Sequence, residues 1–409
     1  MRNTAALTFS ILVIWLIGSV GIAQTTQPAT SDVRAETIDA RISTGALVSM
    51  TAEAVTLKTK AGVEKILLAD LSDMTGAAGG DPLTAPGRGV VATADGSHIT
   101  AAGVAVTGGK VSFTNASLGK MVYDFGDVSA IYLPAARQSA ADVVRKCVKL
   151  NLKGGDQDLV VVAQKSGHWL GVQGVLKSVD ATMLTFTWKG ADRQINLSTV
   201  RAVFLATTGA KKAQKFASVL TVRDGSSVRL TSLTYDKQMF NATLVGGSVV
   251  KLPLAEMAAV KFVSDRVMNL SDMKPQLVKQ HGLLDTTMGW RMNRSVGGGA
   301  ITLGGRSYST GLGLHSFCEL TYTLDAQYKT LIATVGIDDS IRPGGEASLT
   351  FLGDGKELLA PLRITGKGKP QPVRIPLTGV KSLVIRVGYG KDKLDVGDHV
   401  DIAGARLIK

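Results

Sequence analysis

The 409-residue sequence is short of the residues from which catalytic and metal chemistry is usually built. It has five histidines and two cysteines, and contains no H-E-x-x-H, no G-x-S-x-G and no closely spaced Cys/His metal pattern. Aromatic residues make up only 5% of the chain, too few for the basic and aromatic interleaving that holds single-stranded nucleic acid. No long acidic or basic run occurs. The formal charge of +13 is spread thinly, with 19 Lys and Arg against 13 Asp and Glu in residues 266–409, and 27 against 20 in the rest. A nucleic-acid binder clusters its cations on one face or element, so a solvated basic surface is the reading and no nucleic-acid partner is expected. Two cysteines do not make a disulfide framework. Cys147 and Cys318 read as separate buried thiols, with one interdomain bridge as the alternative.

What is present is a folded, glycine-punctuated chain: 45% hydrophobic, with 46 glycines. The opening "MRNTAALTFSILVIWLIGSVGIAQ" has Arg2, an apolar stretch from Ala5 to Val20, and small residues at Gly21 and Ala23. That is the pattern of a signal peptide spanning 1–23, with an uncleaved anchor as the alternative. The expectation is an exported chain, periplasmic, cell-envelope or extracellular, with no transmembrane segment after cleavage. A polar leader, 24–35, follows.

Residues 36–265 repeat a plan. "ADGSHITAAGVAVTGGKVSFTNASLGKMVYDFGDVSAIYL" and "RDGSSVRLTSLTYDKQMFNATLVGGSVVKLPLAEMAAVKF" each open on a polar-Gly-Ser turn and alternate apolar with polar residues. Each closes on an acid, a small residue and an apolar strand. Period-2 alternation between frequent turns predicts short antiparallel strands. A unit of about 40 residues buries little by itself, so copies must pack on one another. The prediction is an all-β chain with about four small SH3/Sm-like β-units, two in 36–133 and two in 159–265. A linker over 134–158 carries a short helix in "PAARQSAADVVRKC". Sm-like barrels include RNA binders, but the export signal, scattered charge and scarce aromatics argue against that use. Trp169 and Trp188 in the third unit read as core or strand-pair residues, with ligand stacking as the alternative.

The glycines of "RSVGGGAITLGGRSYSTGLGLHS" do not make a phosphate loop, because no helix follows them. Gly304-Gly305 fits a tight hairpin turn, and "LHSFCELTYTL" alternates like a strand. His315 and Cys318, three apart on a strand, would face opposite ways and form no nucleophile–base pair. Asp338-Asp339 would serve a glycosidase only with a partner carboxylate; a loop pair or a cation site is the stronger reading. No enzyme is expected.

From about Leu270 onward, "LSDMKP", "NRSVGGGAITLGGRSYSTGLGLHS", "YKTLIATVGIDD", "ASLTFLGDGKELL" and "GDHVDIAGARL" resemble, in family order, the NPCBM/NEW2 domain, also called carbohydrate-binding module family 51. The resemblance implies a galactose-binding-like β-sandwich (jelly roll) over 266–409 and a noncatalytic sugar-binding role. Its partner would be a glycan, with galactose-containing glycans as candidates, and in some members a structural Ca²⁺ is held. The strand-like runs between Gly, Asp and Pro turns lead independently to a sandwich. By resemblance, His315 lies in the G-L-G-x-H signature beside the sugar loops and His399 matches a second loop histidine. Both imidazoles suit hydroxyl recognition, with a structural hydrogen bond inside the loop as the alternative. Asp339 joins them as a hydrogen-bonding candidate, and Asp338, Asp398 and Asp401 are candidate calcium ligands. The family's closing motif usually has tryptophan after the aspartate, where this chain has Ile402. If that indole stacks on sugar, Ile402 removes the surface, and Trp290 in "GWRMNRS" is the candidate replacement. The leading expectation is therefore an exported carbohydrate-binding protein whose β-units act as spacer or docking platform. The alternative is a structural or protein-interaction envelope protein whose sandwich has lost sugar binding.

Overall fold

A computed structural model describes residues 32–76, 83–206, 215–283 and 287–409. The signal-peptide segment and most of the polar leader lie outside the described residues. The leader's last residues belong to the fold. Asp32–Thr37 is a strand whose Val33 and Ala35 point into the core. Arg34 and Glu36 occupy the alternate positions and pair with each other at 2.7 Å, which gave the segment its polar look.

The chain is almost wholly β. Four five-stranded units run over Asp32–Thr75, Gly89–Tyr132, Asp158–Phe204 and Ser218–Phe262. Each has a short 3-10 turn before its last strand: Leu68–Asp70, Phe125–Asp127, Leu197–Thr199 and Leu254–Glu256. The acid-small-apolar endings in the sequence correspond to this turn and the strand it feeds. In every unit the last strand pairs back onto the first, which closes the sheet on itself. The long second strand passes from one neighbour to the other through a register shift, as at Leu47/Ser49 and Leu230/Ser232; such a bulge sharpens the local bend.

The units pair through their last strands, but not in chain order. The first joins the fourth at Ala259↔Thr75, and the second joins the third at Ala130↔Phe204. Their cores merge into one apolar cluster, as small units with too little interior of their own require. The one helix among the described residues, Ala140–Lys149, starts at a capping box between Ser139 and Asp142. It packs Val143 and Cys147 on Leu159, Val161 and Ala202 of the third unit. Cys147 and Cys318 are both free and buried. Among the described residues no helix is long and apolar enough to cross a membrane.

Residues 267–408 form a sandwich. One sheet orders its strands Arg291–Met292, Gly311–Leu314, Val400–Ile408, Thr330–Ile337 and Gln371–Pro376, with Val267–Asn269 also on Val400–Ile408. The other orders Leu277–Gln280, Cys318–Thr323, Ser382–Tyr389, Glu346–Gly353 and Lys356–Glu357, with Leu362–Thr365 also on Glu346–Gly353. Strict alternation, as in Glu346–Gly353, sends every second side chain into the shared core. The sandwich touches the first unit, where Arg406 reaches Glu36 at 2.9 Å and Arg266 reaches Asp70 at 2.7 Å. Ile38 packs there against Ile332 and Ile408.

Candidate functional site

The strand registers bring three connections to one end of the sandwich. Leu314, Val400 and Ile337 lie level in the first sheet. Cys318 and Val387 lie level in the second, close to the ends of Glu346–Gly353 and Ser382–Tyr389. The loops 315–317, 338–345 and 390–399, which cross from sheet to sheet, therefore cluster here. Six of the seven residues singled out from the sequence sit in or beside these loops.

The G-L-G signature is backbone geometry. Gly311 has φ +148°, and a Cβ there would stand 2.6 Å from the Ile402 carbonyl oxygen. A Cβ on Gly313 would meet the Arg294 carbonyl oxygen at 2.4 Å and the Val296 nitrogen at 2.5 Å. Only glycine lets this strand lie so close to the 293–296 turn and to strand Val400–Ile408. The strand in turn delivers His315 to the sandwich end.

His315 and His399 come together edge to face, with ring centroids 5.6 Å apart. His315 is 7% exposed, and its Nδ1 lies 2.9 Å from the Ser316 carbonyl oxygen. A carbonyl only accepts, so Nδ1 carries the hydrogen of this bond. His399 is half-buried, and its Nδ1 has no hydrogen-bond partner. Burial, then the neighbouring His315, hold its pKa below the ordinary value. Behind the pair, the Ser316 hydroxyl and the Glu346 N–H donate to Asp398, the latter at 3.0 Å. Asp398 is fully buried, and burial raises its pKa despite these bonds.

Asp338 and Asp401 form a second buried unit. Asp338 accepts from the N–H groups of Ser340 at 3.0 Å and Thr302 at 3.1 Å, and from the Ser340 hydroxyl. Neither oxygen of Asp401 receives a bond from an N–H or O–H of another residue. Burial, with Asp338 and Asp339 nearby, pushes the Asp401 carboxyl up to about 9. Asp401 is thus the protonated member and donates to Asp338. Burial alone would raise Asp338, but that bond and those from Ser340 and Thr302 outweigh it and hold its pKa low.

Asp339 does something else. Its two oxygens accept the N–H groups of Gly304 at 2.9 Å and Gly305 at 2.8 Å, capping the hairpin between Ile301–Leu303 and Arg306–Tyr308. Both glycines have positive φ, 61° and 78°, as the tight turn requires. Trp290 packs half-buried against the sandwich core. Ile402 is fully buried, paired with Leu312 and Val335, so position 402 offers no surface to a sugar in this chain. Among the described residues no group of three or more His, Cys, Asp or Glu side chains is arranged to hold a metal. Asp398, one of the three candidate calcium ligands, accepts from Ser316 and Glu346, while Asp338 and Asp401 lie in the second buried unit.

One element of this end went unread in the sequence. His281 stacks on Phe317 with centroids 4.7 Å apart and planes 10° from parallel, and Tyr389 leans on His281 at 6.4 Å. The Tyr389 hydroxyl lies 3.4 Å from His281 Nδ1. Backbone bonds in both directions between His281 and Phe317, 3.2 and 3.1 Å, extend the sheet to this point. His281 is exposed and the other two rings are half-exposed. The signal in the sequence was slight: three rings at strand ends, far apart in the chain.

The class these features define is an antiparallel β-sandwich with polar and aromatic loops gathered at one end. Residues 266–408 match the model of the NPCBM/NEW2 domain. A putative endo-alpha-N-acetylgalactosaminidase from Renibacterium salmoninarum is 33% identical over 90 residues, 22% of this chain. The chain spans only 6% of that relative's length. Among solved structures, CBM51 from Clostridium perfringens GH95 in complex with methyl-galactose is 24% identical, covering 34% of this chain and 99% of that one, with a TM-score of 0.31. The tandem CBM51 modules of Sp3GH98, the family 98 glycoside hydrolase from Streptococcus pneumoniae SP3-BS71, are 13% identical over 61% of this chain and 88% of that one, with a TM-score of 0.30.

Proposed function

We propose that this is an exported, noncatalytic protein that holds a glycan at the loop end of its sandwich, with galactose-containing glycans as the first class to test. The observation that carries the reading is the His281–Phe317–Tyr389 cluster beside the His315–His399 pair. Aromatic faces take the C–H side of a pyranose, while imidazole and phenol groups meet its hydroxyls; a few convergent polar groups in an apolar frame are what small-ligand recognition needs. The noncatalytic part is supported by the acids at this end. Asp338, Asp339 and Asp398 accept hydrogen bonds within the protein and Asp401 is held protonated, which makes none of these four a ready partner in the carboxylate pair that glycoside hydrolysis uses. Export rests on the N-terminal sequence pattern.

The β-units, read as SH3-like from their closed five-stranded plan, serve as spacer or docking platform. The module boundary falls near 266. A glycan array probed with the full chain tests the central reading. Binding of galactose-containing glycans supports it, and hydrolysis of any bound glycan contradicts the noncatalytic half. An array with no glycan bound would favour the alternative, a protein-interaction role for the sandwich.

A further inference from the structure

An open groove of about 840 Å³ lies between the third β-unit and the segment 151–157 that leads into it. Gly171 lets the Leu152 and Leu159 side chains lie against the strand in the groove; a Cβ there would stand 2.7 Å from Leu152 Cδ2 and 3.0 Å from Leu159 Cδ1. Trp188, 40% exposed, forms part of the wall. Lys189, held at φ +49° in the turn that follows, places its Nζ 4.9 Å from the Trp188 ring centroid. The polar lining is three carboxamides, Asn151, Gln157 and Gln173, the Thr187 hydroxyl, which donates to Asp192, and two ammonium groups, Lys153 and Lys189; no Asp or Glu lines the groove itself. The other tryptophan of this unit has a different part: Trp169 packs with the helix and carries Lys146 Nζ 4.3 Å from its ring.

We propose that this groove is a second ligand site, separate from the sandwich end, and that it takes an acidic oligosaccharide. Each carboxamide carries both donors and an acceptor, the complement of neighbouring sugar hydroxyls. The exposed indole supplies a flat face for a pyranose ring. Two cations in a lining that contains no Asp or Glu select a carboxylate or sulfate on the sugar. The volume lies in the range that small-ligand sites occupy. An apolar side chain of a protein partner would find no enclosed pocket here, since Leu170 and Val175 in the lining are themselves 50% and 51% exposed.

The test is calorimetric titration of the full chain with trigalacturonate, a chondroitin sulfate hexasaccharide, neutral galactotriose and polyglutamate. One or both acidic sugars bind, and the pair of arms tells carboxylate from sulfate. Trp188→Ala weakens that binding by about tenfold or more, and Lys153→Gln with Lys189→Gln weakens it and reduces its dependence on salt. Tyr389→Ala, at the sandwich end, retains it, which separates this site from the other. The inference is overturned if neither acidic sugar binds, if polyglutamate binds in their place, or if Trp188→Ala leaves their binding intact.

Discussion

Replacing Asp401 with asparagine isolates the buried proton at the base of the sandwich loops. The Asp401 carboxyl is fully buried and sits at about 9 in the folded protein, against about 3.9 in an unfolded chain. Because the folded value is raised, the stability this group contributes is fully present below about pH 4. It is lost steadily as pH rises toward the folded value, since the folded state then holds a proton that the unfolded state has released. The loss is about 1.4 kcal/mol per pH unit, or about 4 kcal/mol between pH 5 and pH 8. An asparagine side chain at this position would keep a donor toward Asp338 and titrate nowhere in that window. The advantage of Asp401→Asn over wild type should therefore grow with pH, whatever its starting value at pH 5. Amide hydrogen exchange on peptides from strand Val400–Ile408 reads this locally, and two proteins compared at one pH share the same intrinsic exchange rates. The protection ratio should rise about tenfold per pH unit. A ratio that stays constant from pH 5 to pH 8 would refute the buried-proton argument.

Other perturbations separate structure from recognition. Ile402→Trp forces an indole into a filled core and should lower stability by about 1–3 kcal/mol in thermal melts; a variant that melts like wild type and binds glycan more tightly would show the position open to ligand. His315→Ala removes the ring bonded to the Ser316 carbonyl and should cost about 1–2 kcal/mol, with glycan affinity falling alongside. An unchanged melt with lost binding would assign the ring to the ligand alone. If the loop acids hold a structural calcium ion with other oxygens, melting in calcium should exceed melting in chelator; coincident melts at saturating calcium would contradict that site.

The parts of the fold that were legible depended on local pattern. Alternation and turn residues located the strands of the β-units and of the sandwich, and Gly304-Gly305 announced its hairpin. Asp32–Thr37 was hidden because charges occupy its outward positions and leave only Val33 and Ala35 as signal. The pairing of first with fourth unit, and second with third, is a matter of backbone ladders between distant segments, and side-chain periodicity carries no trace of partner choice. At the site, the motif histidines were found and they do meet. The bonds Asp339 accepts from two backbone N–H groups went unread, because no residue type announces them. That Ile402 lies in the core was not legible, because a motif gives a residue's place along the chain but not whether it faces inward. The His281, Phe317 and Tyr389 rings stayed invisible because three separate strand ends must come together before they form a surface.

The central claim is that the aromatic and histidine end of the sandwich holds sugar. Its most direct test is titration calorimetry of the full chain with a galactose-containing glycan, comparing wild type with Phe317→Ala and Tyr389→Ala and checking each by thermal melting. The account predicts saturable binding that each substitution weakens by about 1–2 kcal/mol, with melting temperatures close to wild type because both rings are partly exposed. Binding that persists undiminished in both variants would place the sugar elsewhere on the molecule and contradict the account.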